Sequence, residues 1–274
     1  MKLCTLNNAY KHQDNLTSYK LFKEYNMLNI EVNPLNFKSD LYSLSKEDID
    51  KFILSTVERN VSIEAFEYTE PENLFIFKNR KTRLELLNNI KDCIILCYKL
   101  GVPVININYL KNNNIDNISK DMSYQILLEF FAELGDFASN KNVILTLGPC
   151  SKYSLSNDII KNAIFRINSQ CINFIMELNN PYVKLNLTNS IILENHFDYE
   201  ELITIASPYL HNFYIIEDYL IPLNNKNVIR NSSLLTILDS IKYSELLTID
   251  FKDRKNVKDI VQFLLHSNLG ILWS

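Results

Sequence analysis

The segment KLGVPVININ, residues 99–108, joins a long predicted helix to a short predicted strand. Upstream of it, apolar residues recur from Leu84 to Leu96 at the spacing of one helix face. Gly101 supplies the left-handed conformation that ends many helices, and Pro103 prevents the helix from resuming. The short apolar run after Pro103 is typical of a strand in a parallel sheet.

The same alternation of strand and helix continues along the whole chain. Eight short strands are predicted at residues 3–7, 29–33, 61–66, 104–108, 143–148, 183–188, 212–217 and 246–251. Besides the helix before residue 101, helical patterns occupy residues 19–25, 46–58, 124–138, 158–167, 199–206, 234–241 and 257–265. Strands that alternate with helices form parallel sheets, and eight such units are what a closed barrel requires. The sequence therefore predicts an α/β fold, a single (β/α)8 TIM barrel.

Length and hydropathy agree with one barrel domain over residues 1–274. A barrel of this kind takes roughly 250 residues, so the 274 residues leave little for a second domain. The hydrophobic content of 47% supports a large core, and the absence of an apolar run of membrane-spanning length predicts no membrane segment. The first residues, MKLCTLNNAY, become polar too early for a signal peptide, so we expect a cytoplasmic protein.

The net charge of −4 and the scattered basic residues offer no overall attraction to a polyanion, which disfavours nucleic acid as a partner. The chain has 5 cysteines, an odd number without a disulfide framework. Cys93 and Cys97 lie on the predicted helix and are interpreted as buried or half-buried thiols. A homo-oligomer is compatible with this sequence.

Each barrel strand turns one set of side chains to the helices and the other to the barrel axis. In the sixth strand, VKLNLT, the apolar set Val183, Leu185 and Leu187 is assigned to the helices. In the seventh strand both registers contain an apolar run, so either Glu217 or Asp218 could face the mouth, and we favour Glu217. For the sixth strand and the remaining strands this sorting places the following residues inward: Glu31, Asn33, Ser62, Glu64, Asn106, Asn108, Thr146, Gly148, Lys184, Asn186, Thr188, Thr248 and Asp250.

A polar axis predicts a wet pocket at the C-terminal strand ends, where barrels of this type carry their sites. Buried polar groups without partners cost roughly 1–3 kcal/mol each, so they need water, a ligand or one another. The candidate catalytic residues are Asp250, Glu217, Lys184 and Glu64, and the candidate ligand-binding residues are Glu31, Asn33, Asn108, Asn186 and Thr188. An internal network that only holds the barrel together, with Lys184 paired to Glu31 or Glu64, explains the same residues.

The stretches NIEVNP, at the second strand, and KLGVPVININ resemble the xylose isomerase-like TIM barrels. This superfamily includes sugar phosphate isomerases and epimerases and the endonuclease IV type of apurinic-site nuclease. The stretches VILTLGPC, VKLNLTNSI, NFYIIEDY and LLTIDF resemble its fifth to eighth strands. The resemblance implies the same fold and a small carbohydrate-like ligand in the C-terminal mouth.

The family holds a divalent metal, commonly manganese, magnesium or zinc, with a Glu, an Asp, a His and a Glu on strands five to eight. By this resemblance the four positions fall on Gly148, Thr188, Ile215 and Asp250, with a further family His near Ile191. Only Asp250 is a carboxylate, and one acidic ligand does not hold a catalytic divalent ion tightly. We therefore predict a degenerate metal site and no cofactor, and expect manganese, magnesium or zinc only if the ligands align differently.

Three functions remain at this point. The first is a sugar phosphate isomerase- or epimerase-like protein that acts on or binds a carbohydrate-like ligand through the polar axis. The second is a non-catalytic barrel that binds a ligand or a partner protein, which loss of the family ligands favours. The third is an apurinic-site endonuclease, for which the sequence shows neither a metal cluster nor a basic groove. The motifs GxGxxG, GxxxxGK[ST], HExxH and GxSxG are absent, so nucleotide-cradle, metalloprotease and serine-hydrolase templates have no support.

Overall fold

Eight parallel strands close into one barrel, which confirms the predicted fold. The computed structural model describes residues 1–6, 23–24, 27–33, 45–108, 118–149, 168–194, 198–216 and 225–250. The strands are β1 Lys2–Leu6, β2 Asn29–Val32, β3 Ser62–Glu67, β4 Val104–Asn108, β5 Ile144–Leu147, β6 Val183–Thr188, β7 Leu210–Ile216 and β8 Leu246–Asp250. Each strand pairs with its neighbours in the chain, and β8 pairs with β1 to close the ring.

Helices follow or precede the strands in the part of the chain that the structure describes. They are α1 Lys46–Arg59, α2 Arg80–Leu100, α3 Lys120–Ser139, α4 Asn168–Leu178, α5 Asn189–Glu194, α6 Tyr199–Ala206 and α7 Asn225–Ser240. Helices α4 and α5 were not predicted, and α5 is too short to show a helical period. The predicted helices at 158–167 and 257–265 lie outside the described residues, as does most of the one at 19–25.

Helix α2 shows why the sequence signals at its ends are reliable. It begins after Asn79, whose side chain accepts a hydrogen bond from the backbone N–H of Thr82 at 2.9 Å. It ends at Gly101, which has φ 70° and whose N–H bonds back to the last turn. The face between these ends packs on the barrel through buried residues, namely Leu86, Leu87, Ile90, Cys93, Ile94, Leu96 and Cys97.

The core has two parts. The larger part lies between strands and helices, where Ile30, Phe66 and Ile105 are fully buried. A smaller cluster inside the barrel joins residues of four strands, with Ile144 packed against it, and consists of Cys4, Ala65, Val104 and Leu246. Because Val104, Ile144 and Leu246 each begin their strand, this cluster closes the axis near the N-terminal strand ends. Among the described residues, no helix is both long and apolar enough to span a membrane.

Register irregularities change the predicted face of β3. The pairing of β2 with β3 shifts between Ile30 and Glu31, so that Glu31 pairs with Ala65. A one-residue bulge exchanges the two faces of a strand beyond it. Ala65 therefore faces the axis, in contact with Val104, and Glu67 follows on the same face. The prediction that Ser62 and Glu64 define the inward face of this strand is wrong for its C-terminal half.

Candidate functional site

Glu31 lies at the centre of a polar layer that crosses the barrel axis. The side chain is fully buried. Its Oε1 accepts a hydrogen bond from the hydroxyl of Tyr214 at 2.6 Å, and its Oε2 accepts a longer one from Nδ2 of Asn212 at 3.5 Å. Leu6 of β1 pairs with Glu31 on one side and with Asp250 on the other, which places this layer close to the C-terminal strand ends.

The environment of Glu31 favours the protonated carboxyl. Burial raises the pKa of Glu31 to about 8, the hydrogen bond from Tyr214 opposes this, and the nearby charge of Glu67 adds to it. Burial and the neighbouring Glu31 raise the pKa of Tyr214 in turn. A carboxyl that titrates near neutral pH can both accept and donate a proton under ordinary conditions.

A second arm of the polar layer runs through β4, β5 and β6. The hydroxyl of Thr146 donates to Oδ1 of Asn106, and Nδ2 of Asn186 donates to that hydroxyl at 3.1 Å. On the other side, the hydroxyl of Thr248 donates to Oδ1 of Asn212 at 3.0 Å. The layer thus joins β4, β5 and β6 by one chain of hydrogen bonds and β2, β7 and β8 by another.

Asn106 brings a buried amide donor into this layer. Its side chain is fully buried, and its Nδ2 has no hydrogen-bond partner among the described residues. The amide nevertheless lies close enough to Glu31 to favour the ionised carboxylate. An unsatisfied buried donor costs about 1–3 kcal/mol, which an acceptor atom of a ligand or a bound water would recover.

Gly148 leaves room for the side chain of Asn186. A Cβ atom at position 148 would lie 1.9 Å from Oδ1 of Asn186 and 3.3 Å from its backbone oxygen. The Asn186 amide therefore occupies the space that a side chain at position 148 would need. Within the described ranges, no three His, Cys, Asp or Glu side chains come together as possible metal ligands.

Several predicted ligand-binding residues do reach the C-terminal end of the barrel. Nδ2 of Asn33 donates to the hydroxyl of Thr69 at 2.6 Å, and the hydroxyls of Thr188 and Ser190 are 2.9 Å apart. Asp250 ends β8 and is half-buried. Asn108 ends β4, but its side chain lies outside the described part of the structure, and Glu217 lies wholly outside it.

Lys184 and Glu64 lie at the opposite end of the barrel. Oε1 of Glu64 forms an ion pair at 2.6 Å with Nζ of Lys2, the first residue of β1. Lys184 is the second residue of β6 and lines a cavity with residues that lead into β7 and β8. The structure therefore does not bring these two candidates to the mouth, and the suggested pairing between them is not formed.

Sequence reasoning missed Asn212, Tyr214 and Glu67. The strand-seven register that favoured Glu217 places Phe213 and Ile215 inward, whereas the contacts of Asn212 and Tyr214 give the other register. Asn212 and the hydroxyl of Tyr214 were the available signal, because a buried phenol normally needs a polar partner. Glu67 was missed because the predicted third strand ended one residue earlier.

No protein-family model and no curated protein matches this chain. A D-psicose 3-epimerase solved in the presence of D-fructose superposes with a TM-score of 0.77 at 12% identity, over 97% of this chain and 98% of its own. A 3-keto-D-glucoside 4-epimerase from E. coli superposes with a TM-score of 0.75 at 12% identity, over 97% of this chain and 98% of its own. A family 2 AP endonuclease from Brucella melitensis superposes with a TM-score of 0.71 at 12% identity, over 92% of this chain and 93% of its own. At these identities the likeness shows the fold alone, the closed (β/α)8 barrel.

Proposed function

We propose that this barrel binds a small carbohydrate-like ligand in its C-terminal mouth and acts on it as a metal-free relative of the sugar isomerases and epimerases. The polar layer below the mouth carries this proposal, because it offers hydroxyl, amide and carboxyl groups to a polyhydroxylated molecule. The similar solved structures include epimerases of D-psicose and of a 3-keto-D-glucoside, which supports a carbohydrate-like ligand.

The proposed chemistry is proton transfer at a carbon beside a carbonyl group. Ionised Glu31 would take the proton from that carbon, and Tyr214 would supply a hydrogen bond to the carboxyl throughout. Epimerisation returns a proton to the opposite face of the same carbon, so it needs a second acid. Asp250, the last residue of β8, is the candidate for this second group.

The residues of this chain do not fit the divalent metal of the fold family, and we propose that the site works without one. The position that corresponds to the first family ligand is Gly148, and the Asn186 amide occupies the space above it. The position of the second ligand is Thr188, whose hydroxyl contacts Ser190. Asp250 by itself would bind manganese, magnesium or zinc only weakly.

The metal proposal is tested by the metal content of the purified protein and by thermal titration with manganese, magnesium and zinc. We expect no stoichiometric metal and no saturable rise in unfolding temperature. A saturable rise that disappears in Asp250→Ala would contradict the proposal, because a ligand that binds only the folded state raises its stability.

The ligand proposal is tested by calorimetric titration with D-psicose and D-fructose, using the wild type and Asn106→Leu. Leucine is similar in size but removes the Nδ2 donor, together with the Oδ1 acceptor of the Thr146 hydroxyl, so we expect binding to weaken at least tenfold. Asn140→Ala removes an exposed amide at the C-terminal end of α3 and serves as the control. Equal affinities of the wild type and both variants would show that the ligand does not bind at the polar layer of the barrel axis.

Catalysis is distinguished from binding by exchange of carbon-bound protons with solvent deuterium, followed by NMR. We expect exchange at the carbon beside the ketose carbonyl in the wild type and its loss in Glu31→Gln. Binding without exchange in the wild type would leave the second function, a non-catalytic ligand-binding barrel. An apurinic-site nuclease is disfavoured by the net charge of −4 and by the metal misfit.

A further inference from the structure

A cavity of about 250 Å³ opens on the N-terminal face of the barrel, at the end opposite the proposed sugar site. Its floor is the start of β6 and β7, and its rim is the two segments that lead from α6 into β7 and from α7 into β8. The lining residues are Lys184, Ser207, Pro208, Leu210, His211, Ile241, Lys242, Tyr243, Ser244 and Glu245.

Lys184 lines this cavity without forming an ion pair with a described residue. The side chain is half-buried, and among the described residues it forms no ion pair and no hydrogen bond. Of the other partly buried lysines in the described ranges, Lys2 pairs with Glu64 at 2.6 Å, Lys91 pairs with Glu133, and Nζ of Lys141 lies 5.0 Å from the centre of the Tyr98 ring. A lysine that gives up part of its hydration without a carboxylate gains by binding an anion.

Lys242 stands in a backbone conformation that its residue type does not favour. Its φ is 55°, in the left-handed region, at the joint between α7 and β8. At the corresponding joints before β3, β5 and β6, the left-handed residue is Asn60, Asn142 and Asn179. Asparagine tolerates this conformation better than lysine does, so a lysine at this position costs some stability. The cost is explained if the ammonium group has a task in the cavity.

His211 and Glu245 complete the charged groups of the cavity. Nδ1 of His211 lies 3.3 Å from Oε2 of Glu245. Burial lowers the pKa of His211, Glu245 opposes this, and Lys184 lowers it further, so the ring is neutral at neutral pH. With two lysines against one carboxylate, the cavity carries a net positive charge.

We infer that this cavity binds the phosphate group of a small phosphorylated metabolite. Lys184 and Lys242 supply two cations for the phosphate oxygens. The organic part of the metabolite would contact the apolar lining residues, which are Pro208, Leu210, Ile241 and Tyr243. The volume is below the roughly 300–1,000 Å³ of sites for drug-sized ligands, which suits a small ester. This site goes beyond the proposed sugar function and does not depend on it.

A purely structural role for the lysines is the competing explanation. Helices α6 and α7 both end at this face, and cations near helix C-termini stabilise the helix by interacting with its carbonyl groups. In that case both lysines would contribute to stability and neither would change phosphate binding. Substitution of the lysines therefore distinguishes the two roles: a structural role predicts a loss of stability, and a binding role predicts a loss of phosphate affinity.

The test is calorimetric titration of the full chain with inorganic phosphate and with glycerol 3-phosphate, in sodium chloride at matched ionic strength. We expect saturable binding to the wild type and at least a tenfold loss in Lys184→Met. Lys242→Asn restores the residue type of the other joints, so we expect several-fold weaker binding with an unchanged or higher unfolding midpoint. Lys51→Met, in the exposed pair with Glu47, is the matched control and should bind as the wild type does.

The comparison of the two probes identifies the source of the phosphate. Tighter binding of glycerol 3-phosphate supports a phosphate ester, and equal binding supports free phosphate. No saturable binding to the wild type, or unchanged binding in both Lys184→Met and Lys242→Asn, overturns the inference. Because the cavity lies at the opposite end, binding of D-psicose should be the same in all these variants, so failure here is distinguishable from failure of the sugar proposal.

Discussion

At the scale of single residues, Glu31 sets the chemistry of the barrel axis. It is fully buried, and no cation accompanies it among the described residues. Its partners are a phenol and neutral amides, whose hydrogen bonds favour the ionised carboxylate but do not offset the cost of burying its charge. Burial therefore dominates, and this environment favours the protonated carboxyl of Glu31.

This state of Glu31 predicts a pH dependence of stability. The folded pKa of about 8 lies above the ordinary value of 4.5, so the folded state binds the proton more tightly than the unfolded state. Stability from this group is complete below the ordinary value and is lost as the pH rises through the folded pKa. Glu31→Gln removes the titration, and urea unfolding from pH 5 to 9 should show wild-type stability falling relative to this variant. Parallel profiles would contradict the raised pKa.

The close approach of Gly148 and Asn186 predicts a strong coupling between these two positions. Gly148→Ala forces the Asn186 amide away from the hydroxyl of Thr146, which we expect to cost about 1–3 kcal/mol of unfolding free energy. Asn186→Ala also loses the hydrogen bond but vacates the space. The loss of unfolding free energy in the double variant should therefore be much smaller than the sum of the losses in the two single variants, which a double-mutant cycle measures. Additive costs would mean that the amide does not fill this space.

At the scale of elements, helix ends and strand bulges decide where side chains point. The joint from α2 to β4 follows directly from Gly101 and Pro103, because both residues act on their own backbone. The inward faces of β3 and β7 do not follow in the same way. Bulges at Ile30/Glu31 and at Leu185/Asn186 arise from pairing with neighbouring strands, which local sequence does not record.

The joint at Gly101 allows a backbone effect to be measured without a steric one. A Cβ atom there meets nothing within 4 Å, but φ is 70°. Gly101→Ala should therefore cost about 1 kcal/mol from backbone strain alone, and Gly101→Asn clearly less. Thermal and urea unfolding of the two variants provide the measurement. A larger cost for asparagine would point to a steric contact.

The ion pair between Lys2 and Glu64 ties β1 to β3 at the N-terminal end of the barrel. Glu64 has a side-chain exposure of 8%, so Lys2→Met leaves a buried carboxylate without its cation, at a cost of about 1–3 kcal/mol. Lys51→Met breaks an exposed pair and should cost less than about 1 kcal/mol. If Glu64→Gln lowers stability but leaves proton exchange on D-psicose intact, Glu64 is structural. Loss of exchange alone would restore it as a catalytic candidate.

At the scale of the whole molecule, the two ends of the barrel carry opposite chemistry. The C-terminal end has a layer of neutral amides, hydroxyls and carboxyls, and the N-terminal end has lysines and a small cavity. The apolar cluster of Cys4, Ala65, Val104 and Leu246 separates them within the barrel. We therefore expect the two proposed ligands to bind independently of each other.

The closed barrel also protects its thiols. Cys4, Cys93, Cys97 and Cys171 are all buried, and burial raises the pKa of Cys4, Cys97 and Cys171. A disulfide reagent should therefore modify these four thiols only at the rate of unfolding. In Cys150→Ser, which removes the remaining cysteine, we expect no fast phase at neutral pH. A fast phase in that variant would reveal an opening of the barrel that the closed structure does not contain.

The sequence by itself determined the barrel, because alternating strand and helix periods and helix-ending residues such as Gly101 act locally. It also placed Glu31, Asn106 and Asn186 on the axis, since alternation along a strand needs no partner. Only the tertiary structure decided that Tyr214 bonds Glu31, that Asn186 fills the space at Gly148, and that Lys184 faces the N-terminal end. These facts depend on register between strands far apart in sequence and on depth along the axis, and neither is encoded in any single segment.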